Sequence, residues 1–169
     1  MTTFRAYRIN KNDDGIVAGF EQMAVNDLTE GDVVIKVSHS TINYKDALAA
    51  TGAAPILRRY PLNGGIDLAG VVESSEDSEL QPGMPVLVNG CGLSETADGG
   101  YAEYARVASN SVVPIPDGMS PVEAMQIGTA GYTAALAIHR MEQNGQRPEN
   151  GPVVVTGATG GVGSVAIDM

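Results

Sequence analysis

Apolar and polar residues alternate along EGDVVIKVSHS, which puts Val33, Ile35 and Val37 on one face and Val34, Lys36 and Ser38 on the other. A period of two is the mark of a half-buried strand. IDLAGVVES from Ile66 has a more continuous apolar run and predicts a second strand; MPVLVNG from Met84 and YAEYARV from Tyr101 predict two more. QPG (81–83) and DGG (98–100) supply the turns between them. YKDALAATG (44–52) instead predicts a short helix closed by Gly52. From residue 120 a helical pattern takes over. In SPVEAMQI, Ser120 stands at the N-cap, Pro121 at the first helical position and Glu123 three residues past the cap, which is a capping box. Gly128 and Gly131 are expected to break or kink this helix. It resumes in TAALAIHRM, with Leu136 and Met141 expected on the buried face. QNGQRPENGP (143–152) is a polar linker, and Val153 to Thr156 are expected to form a strand covered on both faces, as in a parallel sheet. The organisation read from this pattern is a β-rich part over 1–120, a connecting helix and linker over 121–150, and the start of another domain over 151–169.

Composition narrows the partners. Of 169 residues, 43% are hydrophobic, which suits a globular protein. Ten basic against twenty acidic residues give a net charge of −10, which argues against nucleic acid as a partner. The single cysteine, Cys91, rules out an intrachain disulfide and a cysteine-based zinc cluster. His39 and His139 lie a hundred residues apart. The opening MTTFRAYRIN has no apolar signal core, and no run approaches the roughly 18 apolar residues of a membrane span. A cytoplasmic protein with no membrane partner is the expectation.

VVVTGATGGVGSVAIDM (153–169) carries the clearest chemistry. Gly157, Gly160, Gly161 and Gly163 lie between a strand-like and a helix-like stretch, in a variant of the dinucleotide fingerprint. Glycine permits a sharp turn and lets pyrophosphate oxygens approach the free N–H groups of a helix start. A ligand-free tight turn is the competing reading. The residue that reads the ribose lies about 20 positions past the first glycines, so the pattern does not distinguish NAD from NADP.

Several stretches together resemble the medium-chain dehydrogenases/reductases: GIDLAGVV (65–72), PGMPVLV (82–88), GGYAEY (99–104) and IGTAGYTA (127–134). NYKDALAATG (43–52), GIDLAG and VVTGATGGVGS (154–164) are similar to a narrower zinc-independent group, that of acryloyl-CoA reductases and quinone oxidoreductases. The resemblance implies an α/β protein with a β-rich GroES-like barrel as catalytic domain, followed by the first strand, turn and helix of a Rossmann domain. Members of the group run to about twice this length. A truncated half is therefore expected, lacking the rest of its Rossmann sheet, binding NADPH weakly and inactive by itself. The implied activity of the intact protein is NADPH-dependent, zinc-free reduction of an α,β-unsaturated carbonyl, most concretely acryloyl-CoA to propanoyl-CoA. A quinone oxidoreductase is the same-class alternative, and a non-catalytic GroES-like binding domain is the alternative of another class. The group also suggests a homodimer.

The same resemblance suggests site residues. Zinc-dependent relatives carry Cys where this chain has Asn43, and His-Glu where it has Ile66-Asp67. No metal is therefore expected, and hydrogen bonds must polarise the substrate carbonyl. Tyr44 is the first candidate, as a polar group at the nicotinamide or substrate; a core tyrosine with a satisfied hydroxyl is the alternative. Asn43 is expected to donate through its amide, and Asp67 to orient either residue or relay a proton. Thr129 is placed at the nicotinamide or, alternatively, at a helix cap. Thr159, Gly160, Gly161, Val162 and Gly163 are expected at the pyrophosphate. Arg58 and Arg59 are suited to a CoA phosphate or to a surface salt bridge. Asp46 is expected on the solvent face or holding the helix start, Lys45 as a solvated surface charge, and Cys91 as a buried or incidental thiol. In NGG before Ile66, relatives tend to have proline, and its loss is expected to loosen the turn carrying Asp67.

Overall fold

The alternating run folds as strand β3 (Val33–His39) in the computed structural model of the chain, which describes residues 3–169. β3 lies inside an antiparallel five-stranded sheet with β5 (Asp67–Ser75), β6 (Pro85–Asn89), β7 (Tyr104–Val107) and β8 (Val113–Pro114), in the order β7-β3-β5-β6-β8. The alternation is satisfied as read, since Val33 and Ile35 are buried with Leu68, Val72, Val86, Val88, Ala105 and Val107. Full burial of each such side chain contributes about 1.5–3 kcal/mol. The strand expected from Tyr101 begins only at Tyr104, because residues 99–101 make backbone bonds to the 63–65 turn instead.

A second sheet is formed by β1 (Thr3–Asn12), β2 (Gly15–Ala24) and β4 (Leu62–Asn63), in the order β2-β1-β4. β1 and β2 make a ten-residue antiparallel hairpin. Its turn is marked by Asp14-Gly15, a dipeptide that signals hairpins, with Gly15 at φ 125°. Phe4, Ala6, Met23 and Leu28 are buried together on this sheet, and Ile9 and Leu62 with Ala49 and Leu57.

A buried ion pair ties distant segments together. Arg8 Nη1 donates to Asp98 Oδ1 at 3.1 Å, and Asp98 also accepts from the backbone N–H groups of Asn63 (2.8 Å) and Thr29 (2.9 Å). A buried charge is stable only when paired and hydrogen-bonded in this way. The neighbouring turn is held by backbone bonds from Gly99 N to Asn63 O, Gly100 N to Gly65 O and Tyr101 N to Gly64 O. A Cβ on Gly99 would collide with the carbonyls of Gly64 and Gly65. The turn that leads to Asp67 has these backbone bonds in place of a proline: the paired glycines of GGYAEY let one backbone clamp the other.

The two predicted helices are present. α1 (Tyr44–Thr51) ends at Gly52, whose φ of 70° is the left-handed cap that glycine favours. α2 (Pro121–Gln143) starts with the expected capping box: Ser120 N–H and Oγ both donate to Glu123 Oε2, and Glu123 N–H donates to Ser120 Oγ. Gly128, at φ 50° and ψ −162°, is the non-helical residue inside α2, and Gly131 stays helical. The chain divides into two compact units, one ending at Met125 and one beginning at Gln126. Ala124 and Met125 belong to the core of the first, with Ala69 and Ile115.

In the second unit, α3 (Gly161–Asp168) follows the glycine turn. Val153–Val155 are extended, but among the described residues they pair with no strand, and Val154 is 86% exposed. Backbone pairing, not sequence, makes a strand, and this unit offers no partner. Leu136 is likewise exposed and Met141 only half-buried, against expectation. These side chains have little to pack on: Met141, Val153, Val155 and Ile167 instead line an open apolar groove of about 900 Å³. Among the described residues no helix is long and apolar enough to cross a membrane.

Candidate functional site

Between β3 and α1 the chain runs through Ser40, Thr41, Ile42 and Asn43, and this loop is bound side chain by side chain to the start of β5. Asp67, fully buried, is the anchor. Its Oδ2 accepts from Thr41 Oγ1 at 2.7 Å and from Asn43 Nδ2 at 2.9 Å. Its Oδ1 accepts from Asn89 Nδ2 at 2.8 Å, and its carbonyl from Ser40 Oγ at 2.6 Å. Asp46, also buried, closes the other end. Its Oδ2 accepts from Asn43 N–H at 2.8 Å and its Oδ1 from Ile66 N–H at 3.0 Å. Asp46 therefore starts the helix and holds the Ile66 backbone at once.

Asn43 Nδ2 also lies 2.8 Å from Thr41 Oγ1. The Thr41 hydroxyl and Asp67 Oδ2 are themselves only 2.7 Å apart, so both acceptors lie on one side of the amide nitrogen and share one of its two hydrogens. Tyr44, the next residue, is 80% exposed, which excludes the core-tyrosine alternative. Its phenol is the hydrogen-bond donor that the loop presents to solvent.

Sequence reasoning missed Asn89 and Tyr101. Asn89 follows the apolar run of β6, where an asparagine reads as the start of a turn; pairing of Asp67 with Asn89 across β5 and β6 aligns the two side chains. Tyr101 Oη donates to the Thr41 carbonyl at 2.8 Å. Burial pushes the Tyr101 phenol well above its ordinary value of 10.0, and the nearby charges of Asp46 and Asp67 push it the same way. The folded chain thus keeps this proton at a pH where the unfolded chain has lost it, so stability falls as pH rises above 10. Alkaline unfolding of Tyr101→Phe is expected to be less steep by up to one proton, measured as the slope of unfolding free energy against pH. An unchanged slope would mean that the phenol ionises alike in both states.

Lys45 is partly exposed and paired. Its Nζ lies 2.7 Å from Glu95 Oε2, and Arg58 Nε lies 3.5 Å from Glu95 Oε1. The Lys45 ammonium, with help from Arg58, holds the Glu95 carboxyl below the usual range. Arg59 is exposed and makes no ion pair among the described residues. Cys91 is exposed, not buried.

The glycine-rich turn belongs to the second unit. Gly157 has φ 65°, and its carbonyl accepts from Gly160 N–H at 2.9 Å. A Cβ on Gly163 would strike that same carbonyl, so the turn and the helix touch only because Gly163 has no side chain. Gly161, Val162 and Gly163 open α3, and first-turn amides have no carbonyl one turn back to bond. Thr159, Gly160, Gly161 and Val162 are exposed. The close backbone approach at this turn suits a pyrophosphate, with the Gly160 N–H already given to Gly157. Thr129 lies just past Gly128 in α2, half-buried, with its carbonyl accepting from Thr133 Oγ1.

Residues 29–117 match the model of the alcohol dehydrogenase GroES-like domain. YhfP of Bacillus subtilis, described as a quinone oxidoreductase, is 48% identical over 99% of this chain and 51% of its own length. Its crystal structure with NAD bound superposes with a TM-score of 0.92. The acrylyl-CoA reductase AcuI of Ruegeria pomeroyi is 42% identical over 96% of this chain and 50% of its own. The yhdH oxidoreductase of Salmonella enterica in complex with NADP has a TM-score of 0.93 at 45% identity, covering 96% of this chain and 50% of that one. The chain spans about half the length of the curated relatives it matches.

Proposed function

The chain belongs to the alcohol dehydrogenase GroES-like domain family, and from that premise we propose that it is part of a cytoplasmic, NADPH-dependent reductase of an α,β-unsaturated carbonyl, with acryloyl-CoA as substrate. The observation that carries this reading is the Asp67 network. It holds the 40–46 segment through Thr41 and Asn43, takes a third neutral donor from Asn89 on β6, and leaves the Tyr44 hydroxyl exposed.

NADPH, when bound, supplies the hydride. Thr159, Gly160, Gly161, Val162 and Gly163 would hold its pyrophosphate, with Tyr44 and Thr129 toward the nicotinamide. Hydride addition at the β-carbon of the substrate builds negative charge on the carbonyl oxygen, which a placed hydrogen-bond donor stabilises. Tyr44 is that donor. A neutral phenol needs no metal and no change of charge to act. Asn43, with one amide hydrogen engaged by Thr41 and Asp67, donates the other to the bound molecules. Asp67 holds Asn43 and Thr41 and touches no substrate; it is a positioning residue.

Steady-state turnover of acryloyl-CoA and of a simple quinone by the full-length protein tests the proposal. Reduction of the thioester with NADPH, at a higher kcat/KM than the quinone, is the expected result. The 48% identity to YhfP favours quinone as the second substrate class, and the NAD in that structure favours NADH as second cofactor. Failure to reduce any unsaturated thioester would end the first reading.

A further inference from the structure

We propose that Lys45, Arg58 and Arg59 form a binding site for the phosphate groups of coenzyme A, and that Glu95 is the built-in anion against which those phosphates compete. The inference rests on the acyl-CoA reading above and deepens it by naming the residues that take the substrate's charged handle and the one that weakens it.

Charge is the first ground. The chain is strongly acidic, yet Lys45 and Arg58 are brought to one carboxylate, with the exposed Arg59 next in sequence. Lys45 follows Tyr44 at the start of α1, so the patch begins one residue from the hydroxyl assigned to the carbonyl.

The way Glu95 is held is the second ground. The N–H groups of Glu95, Thr96 and Ala97 all bond to the Gly92 carbonyl, at 3.1, 2.9 and 3.0 Å. The Glu95 carbonyl accepts from Arg58 N–H at 2.8 Å. The loop is therefore tied to the backbone of the arginine pair, and the carboxylate stays beside its cations. Arg58 approaches Glu95 through Nε, at 3.5 Å. A guanidinium fork suits phosphate oxygens. Lys45 and Arg58 against one carboxylate leave a net positive charge, to which the exposed Arg59 adds.

Two effects of Glu95 oppose each other. It gathers Lys45 and Arg58 side by side, which saves some ordering entropy for an arriving phosphate. It also repels that phosphate and occupies part of each cation's hydrogen-bonding capacity. For side chains 42% and 71% exposed, immobilisation by one ion pair is weak, and the Coulomb effect of a full charge within a few ångströms is the larger. Glu95 thus lowers affinity for the charged handle.

The test is calorimetric titration of coenzyme A into the chain and its variants. Glu95→Gln keeps the side-chain length and the backbone bonds of the loop. It is expected to bind coenzyme A about three- to ten-fold more tightly at low ionic strength, with the gain shrinking in high salt. Replacing both Arg58 and Arg59 by alanine is expected to weaken binding at least about ten-fold. N-acetylcysteamine, which carries the thiol end without phosphates, should show no response to either change. Unchanged or weaker binding by Glu95→Gln overturns the competitor role. Absence of coenzyme A binding to the chain, or indifference to loss of both arginines, overturns the site. Coenzyme A binding with this charge response but no turnover of acryloyl-CoA by the full-length protein would sink the functional reading and leave the site standing.

Discussion

Replacing Asp67 by alanine is expected to destabilise the first unit by about 3 kcal/mol. Three donors would lose their acceptor at once: Thr41 Oγ1, Asn43 Nδ2 and Asn89 Nδ2. Each buried donor left without a partner costs about 1–3 kcal/mol. All three residues are only half-buried, so water entering the vacated space recovers part of the loss. Asp67→Asn, which keeps the shape and one acceptor oxygen, should lose much less. Urea unfolding at constant m-value measures both. A loss under about 1 kcal/mol for the alanine variant would show that the carboxylate does not hold the loop.

Removal of the Tyr44 hydroxyl should act on catalysis and leave the fold alone. Tyr44→Phe in the full-length protein is expected to lower kcat for the unsaturated substrate roughly 100- to 1,000-fold, the usual effect of losing one donor to a developing oxyanion. Its thermal midpoint should not move, because the residue is 80% exposed and its hydroxyl makes no structural bond among those described. The affinity for NADPH should fall little. Wild-type turnover in this variant would remove Tyr44 from the chemistry and send the donor role to a residue outside the loop. Loss of turnover together with a lowered midpoint would mean that the side chain supports the loop and not the substrate.

The two variants separate two levels of one device. Asp67 is fully buried and accepts from Ser40, Thr41, Asn43 and Asn89. Tyr44 is the exposed end of that arrangement. A loop built on a single carboxylate explains why a chain with Asn43 and Ile66 in place of metal-binding types still has a defined geometry there. In this loop hydrogen bonds to a buried charge do the orienting.

Local chemistry was legible in the residues themselves. The period of two in 33–38 gave the buried face of β3, and Gly52 gave the end of α1. Ser120 and Glu123 gave the start of α2, and the glycines from 157 gave the turn ahead of α3. Each depends on contacts within a few positions along the chain, so the order of residues suffices to state it. The aspartate at 67 and the asparagine at 43 could be picked out as candidates on the same basis, through their place in recognisable motifs.

Whatever depends on distant segments meeting was decided by the folded chain. Asn89 reaches Asp67 only because β6 pairs with β5, Glu95 meets Lys45 across fifty positions, and Tyr101 meets Thr41 across sixty. The sharing of the Asn43 amide between Thr41 and Asp67 likewise needs β5 beside the loop and has no local signature. Val153–Val155 make the converse case: their branched apolar side chains suit a strand, yet without a neighbouring backbone to complete its hydrogen bonds the segment stays unpaired. Local propensity is a property of the order of residues, whereas strand pairing and buried polar networks depend on groups that only the tertiary fold brings within 3 Å.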